Sequence, residues 1–403
     1  AALPGVSKVE PLQSTCFPEK YVFFIKQQLD AKNPQAGQFE QRVVLCHRGF
    51  DRPTVLVTEG YDANYALHEG YIEELSKLFD TNIITVEYRY FDKSMPSPCN
   101  WDYLTVENSL YDLHHVNGAL HALYKGKWIA TGISKGGQTT MFYRSYFPND
   151  VDISVPYVAP LNRSVEDGKH EIFLQYEVST PENRQKVLDL QLLLFKRKAA
   201  LLPLLEKYCN DKHYTFNAPL AEIYDFSVFE YAFAFWQWGA DIQKIPTREA
   251  DDLAVFKYWM SHCEPDYFSN QNPYFSFDVQ AAKELGYYGY YTKPFKRYLS
   301  IKTAKGYLHR LMLPKDAENV NFSPVLYKHT VDFLSKNDPK MVYIYGSIDP
   351  WSASGIYGLP FTKNKHNLYV YMCPGGSHKT RILSFPEPTR QEIIDLIGRW
   401  LKE

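Results

Sequence analysis

The order of elements legible in this 403-residue chain predicts an α/β fold, a mostly parallel sheet with helices on both faces and a helical segment inserted between its strands. Three observations carry that expectation. Short β-branched runs alternate with one-face helical patterns through the first third of the chain. The alternation stops near Asn162 and gives way to helical, aromatic-rich sequence. It resumes near Ser323 and continues to the C-terminus.

Taken in order, QFEQRVVLCHR (38–48) alternates like a half-buried strand and TVLVT (54–58) reads as a fully buried one. NIITVEYRY (82–90) predicts another strand. Residues 104–124 place Leu110, Leu113, Val116, Leu120 and Leu123 on one helical face. WIATG (128–132) and VDISVPYVAP (151–160) are the next strands; spacers of this length join parallel neighbours. Thr180-Pro181-Glu182 is a helix start, with Thr as N-cap and Pro at the first helical position, opening the run QKVLDLQLLLFKRKAALLPLLEKYC. A second long helical pattern covers 223–242, and no buried strand is expected between 165 and 324. A helix over 323–337, strands at 340–346 and 366–372, and an amphipathic helix over 388–403 close the chain. The expected organisation is a first α/β part (1–164), a helical lid (165–324) and a second α/β part (325–403).

Composition removes several function classes. Hydrophobic residues make up 45% and charged residues 22%, with a net charge of −2, so no basic face is offered to nucleic acid. No apolar run reaches the roughly 18 residues of a membrane span. The six cysteines show no CxxC or Cys/His spacing, so no metal site is expected; their even number is compatible with export. The opening AALPGVSKVEPLQ fits either a processed exported form or a cytosolic chain. Aromatic residues reach 16%, which builds either an aromatic core or an aromatic-lined cleft.

Gly132-Ile133-Ser134-Lys135-Gly136 fits G-x-S-x-G, with a strand before it and a helix after it. Small flanking residues allow the sharp turn that exposes a serine Oγ, and the helix N-terminus stabilises a developing oxyanion. A phosphate loop is excluded, because Lys135 precedes the glycines instead of following them, and no cofactor is implied. A serine nucleophile needs a base and an orienting acid downstream. Asp349 falls just past the strand MVYIYG, and His378 follows the next strand on a Pro-Gly-Gly turn. Both lie on strand-end loops, where open α/β sheets build their sites. The loop after TVLVT supplies Tyr61 N–H as the expected oxyanion donor beside Lys135 N–H. Glu59 in that loop either enters a structural ion pair or holds a cation of the substrate.

Over VEYRYFDKSMP, WDYLTVENSLYDLHHV, GISKGGQTT, DVDISVPYVAP and the loops around Asp349 and His378, the chain resembles one family. It is the secreted bacterial prolyl tri/tetrapeptidyl aminopeptidases, serine peptidases distantly similar to prolylcarboxypeptidase and its dipeptidyl-peptidase relatives. The resemblance runs from about Tyr21 to the C-terminus and is strongest over residues 82–160. It implies an α/β-hydrolase with a helical lid, a Ser134–Asp349–His378 triad, peptide substrates, and an exported, secreted or periplasmic protein with disulfides favoured. The expected activity is release of short Pro-favouring peptides from N-termini through an acyl-enzyme. An esterase or lipase with the same triad, or a silent peptide-binding relative, are the alternatives. Phe235, Trp236 and Trp238 either line a proline slot or fasten the lid to the body. Glu59 and Glu87 are candidates for the substrate ammonium; Glu87 is otherwise structural, held by Arg89 or another buried arginine.

Overall fold

The computed structural model describes residues 3–403. Among these, nine strands form one sheet: β1 (Val6–Pro11), β2 (Glu19–Gln28), β3 (Gln38–His47), β4 (Thr54–Thr58), β5 (Asn82–Val86), β6 (Trp128–Ile133), β7 (Ile153–Tyr157), β8 (Met341–Gly346) and β9 (Leu368–Cys373). Their order is β1-β2-β3-β5-β4-β6-β7-β8-β9. From β5 to β9 every pairing is parallel. β1, β2 and β3 add an antiparallel edge. β1 and β2 were not anticipated.

Every residue of β4 and β5 is buried, as expected where both sheet faces are covered. The pleat sends Val55, Val57 and Ile83 to one core, with Leu75 of α1 (Glu74–Phe79) and Ile393, Ile397 and Trp400 of α11 (Thr389–Lys402). Leu56 and Ile84 face the other core. There they meet α2 (Val106–His121), α3 (Lys135–Tyr146) and α10 (Val325–Lys336). Helices on both faces of a largely parallel sheet make this an α/β-hydrolase fold.

Between β7 and β8 the chain forms α4 (Lys169–Ile172), α5 (Pro181–Lys196), α6 (Lys198–Asp211), α7 (Leu220–Trp238), α8 (Asp252–Met260) and α9 (Phe275–Gln280). The extended pairing described in this segment is a single bridge, Phe216 to Ser269. Thr180 Oγ1 accepts the Asn183 N–H at 3.3 Å and caps α5. The helix expected to run on from there breaks at Arg197. That guanidinium donates to the carbonyls of Ala250 and Arg248 and pairs with Asp252.

Two further expectations are corrected. The strand expected over 82–90 stops at Val86, because the next residues are drawn into side-chain and loop contacts and Tyr90 takes a left-handed φ of 68°. The six cysteines are free thiols, so the disulfides favoured by the resemblance are not formed. No described helix is long and apolar enough to cross a membrane.

Arg89 fastens this region. Fully buried, it donates from Nε and Nη2 to the two carboxylate oxygens of Asp112 on α2, each at 2.7 Å. It also caps the carbonyls of Gln28, Leu29 and Tyr103, tying the antiparallel edge to α2. Removing the carboxylate strands a buried guanidinium, which costs about 3–5 kcal/mol. Asp112→Ala should therefore lower the unfolding free energy in urea by that amount. A loss under about 1 kcal/mol would show that the pair is dispensable.

Candidate active site

β6 runs into Ser134 and α3 starts at the next residue. Ser134 takes φ 58° and ψ −120°, a conformation that side-chain-bearing residues rarely hold. Its N–H donates to the Tyr157 carbonyl at 2.9 Å, which pins the turn to β7. The preceding glycine explains how the turn closes. A Cβ on Gly132 would lie 2.3 Å from the Gly136 carbonyl oxygen and 2.7 Å from that of Thr58. Both obstacles are backbone, so nothing larger fits.

The loop after β4 presses on the same helix start. A Cβ on Gly60 would stand 2.6 Å from Lys135 Cβ and 2.8 Å from Gly136 N. Lys135 Nζ donates to the Gly60 carbonyl and sits 3.3 Å from the Tyr88 ring centroid and 4.9 Å from that of Phe91. Burial holds this ammonium well below its ordinary pKa, against the pull of Glu59 and Glu284. The Lys135 side chain thus clamps the two loops together. Among the described residues no acceptor takes the Lys135 or Tyr61 N–H. The Tyr61 ring packs edge-on against Phe91, Tyr274 and Phe277, which fixes its backbone.

Asp349 follows β8 and His378 follows β9. Asp349 is fully buried and accepts from Trp351 N–H at 3.1 Å, Ser352 Oγ at 2.7 Å and His378 Nδ1 at 2.9 Å. With the carboxylate as acceptor, Nδ1 carries the proton and Nε2 is left free toward the cleft. Behind this turn the buried His170 meets the Pro350 carbonyl and Asn162, each at 2.9 Å, and burial pushes it down to about 4. The backbone N–H of His378 donates to the Gln237 carbonyl at the end of α7, at 2.9 Å. Its ring meets Trp238 edge-on, with centroids 6.1 Å apart.

Ser134, His378, Lys135, Tyr61, Glu59 and Trp238 all border one cleft of about 860 Å³. Its walls are chiefly aromatic and charged, with Tyr65, Tyr71 and Tyr274 beside Glu73, Lys379 and Arg381. That lining does not match the aliphatic tunnel expected of an esterase or lipase. Glu59 accepts from Tyr65 Oη and from Gly60 N–H, and enclosure raises its carboxyl to about 7 despite both bonds.

Three predicted residues stand elsewhere. Glu87 is fully buried, paired with Arg42 and bonded by Ser94 Oγ at 2.8 Å and Ala63 N–H at 3.1 Å. It is structural, and the buried arginine that holds it is Arg42, not Arg89. Phe235 and Trp236 are buried inside the helical segment, packed on each other at 5.1 Å between centroids. Helix phase decides this: only Trp238 of the aromatic trio turns to the cleft. The sequence reading missed Ser352, His170 and the Gln237 carbonyl. Ser352 had a local signal, a hydroxyl three residues past Asp349 in DPWS. It also missed Glu230, which borders the cleft from α7.

Several known proteins are similar to this chain. A family model described as PS-10 peptidase S37 matches residues 1–395. The prolyl tri/tetrapeptidyl aminopeptidase of Streptomyces mobaraensis is 28% identical over 417 aligned residues, covering 99% of this chain and 83% of that protein. Among solved structures, the proline iminopeptidase of Mycobacterium smegmatis is 13% identical, with a TM-score of 0.42, over 98% of this chain and 99% of that one. With a family match running from the first residue to Glu392 and beyond, the chain belongs to the PS-10 peptidase S37 family and is a serine peptidase.

Proposed function

We propose that Ser134, His378 and Asp349 form the catalytic triad of an exopeptidase that releases short, Pro-ending peptides, three or four residues long, from N-termini. The observation that carries this reading is a buried Asp349–His378 pair opening onto the same cleft as the strained Ser134 elbow. The likeness to the Streptomyces aminopeptidase over 99% of the chain supports the substrate class.

In this mechanism Ser134 Oγ attacks the peptide carbonyl while His378 Nε2 takes its proton. The tetrahedral oxyanion lies against the N–H groups of Lys135 and Tyr61. His378 passes the proton to the leaving amine, the C–N bond breaks, and an acyl-enzyme ester remains. Water, deprotonated by the same imidazole, then frees the peptide acid and restores Ser134. Asp349 holds the productive tautomer throughout. The helical segment 165–324 acts as a lid, with Trp238 as the apolar wall for the substrate. The family resemblance supports an exported enzyme.

On a free tripeptidyl-prolyl amide, Ser134→Ala or His378→Ala should reduce kcat by about 10⁶, following the subtilisin precedent. Asp349→Asn should cost on the order of 10⁴ by favouring the wrong tautomer. A Ser134→Ala enzyme with a tenth of the original activity overturns the triad.

Trp238→Ala should reduce peptide turnover more than hydrolysis of a small activated ester, which needs the triad but little of the wall. Equal losses on the two substrates would remove Trp238 from the binding surface.

A further inference from the structure

The side of α7 bordering the cleft carries Glu230, Ala234, Gln237 and Trp238, the spacing of one helical stripe. At its C-terminal end this stripe is anchored to the catalytic machinery through Gln237 and His378. About two turns earlier stands Glu230, 7% exposed. Its carboxylate meets phenols: Tyr288 Oη is 2.9 Å from each oxygen and Tyr290 Oη is 2.6 Å from one. Cys263, Tyr287 and Tyr307 also face it, all with ionisation suppressed by burial.

No ion pair reaches Glu230 among the described residues. Three other buried acids each have a cation, Arg42 for Glu87, Arg89 for Asp112 and Lys198 for Asp225, whereas Asp278, buried without one, meets Asn272 Nδ2 at 3.2 Å and lies off the cleft. Burial pushes the Glu230 carboxyl up to about 7 against the pull of Tyr290 and Tyr288. A carboxylate enclosed in this way, bordering a peptidase cleft and unmatched by charge, is suited to receive a cation from outside.

We propose that Glu230 binds the N-terminal ammonium of the substrate, and that α7 sets how many residues lie between that ammonium and the cleaved bond. The inference rests on the aminopeptidase reading above and identifies its amine site. At the usual helical rise, Glu230 and Gln237 are roughly 10 Å apart along the axis. An extended peptide covers about 10 Å in three residues. The two lengths agree, so a peptide that runs along α7 from the end anchored at His378 would reach Glu230 with three residues and fall short with two.

The other carboxylates in the cleft fit less well. Glu59 lies in the loop whose next residue presses on Lys135, too close to the nucleophile for three residues to intervene. Glu73 is taken up in capping the Leu75 and Ser76 N–H groups, Glu74 accepts from Tyr157 Oη and the Ile382 and Leu383 N–H groups, and Asp62 accepts the Asn64 N–H. Asp266 is exposed and Glu264 partly so.

The test uses prolyl p-nitroanilides with two to five residues before the cleaved bond, each with a free or acetylated N-terminus. Wild type and Glu230→Gln are compared, with thermal melting to verify folding. Wild type should favour the free three-residue substrate over its acetylated twin by about tenfold to a hundredfold in kcat/KM. Glu230→Gln should lose most of that ratio, chiefly through KM, and flatten the length preference. A folded Glu230→Gln enzyme that keeps both the ratio and the length optimum overturns the proposal while leaving the aminopeptidase reading intact. Equal cleavage of acetylated and free substrates by wild type removes that reading and Glu230's role with it. Should Glu230→Gln not fold, Tyr290→Phe answers the same question: it keeps the ring but removes one hydroxyl that orients the carboxylate. The ratio should fall severalfold, and an unchanged ratio defeats the proposal.

Discussion

Ser134 is held at φ 58° and ψ −120°, a conformation that costs a residue with a side chain on the order of 1–3 kcal/mol. The surrounding backbone keeps it there. Thr58, Gly60, Gly132, Gly136 and Tyr157 converge on the first turn of α3 at separations that leave no space for another Cβ. Three adjacent strands, β4, β6 and β7, contribute to that convergence. The glycines around Ser134 serve this close packing of backbone on backbone. The same crowding brings the Tyr61 loop against Lys135, so the exposed hydroxyl and the two unsatisfied N–H groups arise from one arrangement.

Electrostatic matching divides the buried acids into two groups. Glu87, Asp112 and Asp225 each meet a cation and serve the scaffold. Asp349 meets the His378 imidazole, while Glu59 and Glu230 meet neutral donors and border the cleft. An unmatched interior charge is costly, and a folded protein retains it where something else offsets the cost. Asp278 is the exception, buried without a cation and away from the cleft, with Asn272 as its hydrogen-bond donor.

Much of the fold was legible because its signals are local. β4, β5, β6 and β8 are continuous apolar runs, and the turn residues of the elbow and of the Asp349 and His378 loops lie within a few positions of their strands. The antiparallel edge was not legible, because β1 and β2 find partners only through long-range pairing. Candidate binding residues were the weakest part of the reading. Glu87 and Glu59 look alike in sequence, yet Arg42, far off in the chain, claims the first. The Phe235–Trp238 run could not be resolved without the phase of α7, and that phase is set by tertiary packing. Once Trp238 is known to face the cleft, helical periodicity leads back to Glu230.

The bond from His378 N–H to the Gln237 carbonyl joins the His378 loop to a segment that otherwise lies outside the sheet. Any excursion of α7 away from the body removes an anchor from the imidazole's own backbone. The Trp238 ring against the His378 ring and the close approach of Gly239 to Ser377 add to that contact, so the loop after β9 is positioned from two sides, by its own strand and by the last turn of α7. A change that shifts this end of the helix is carried into the imidazole's position without touching the sheet.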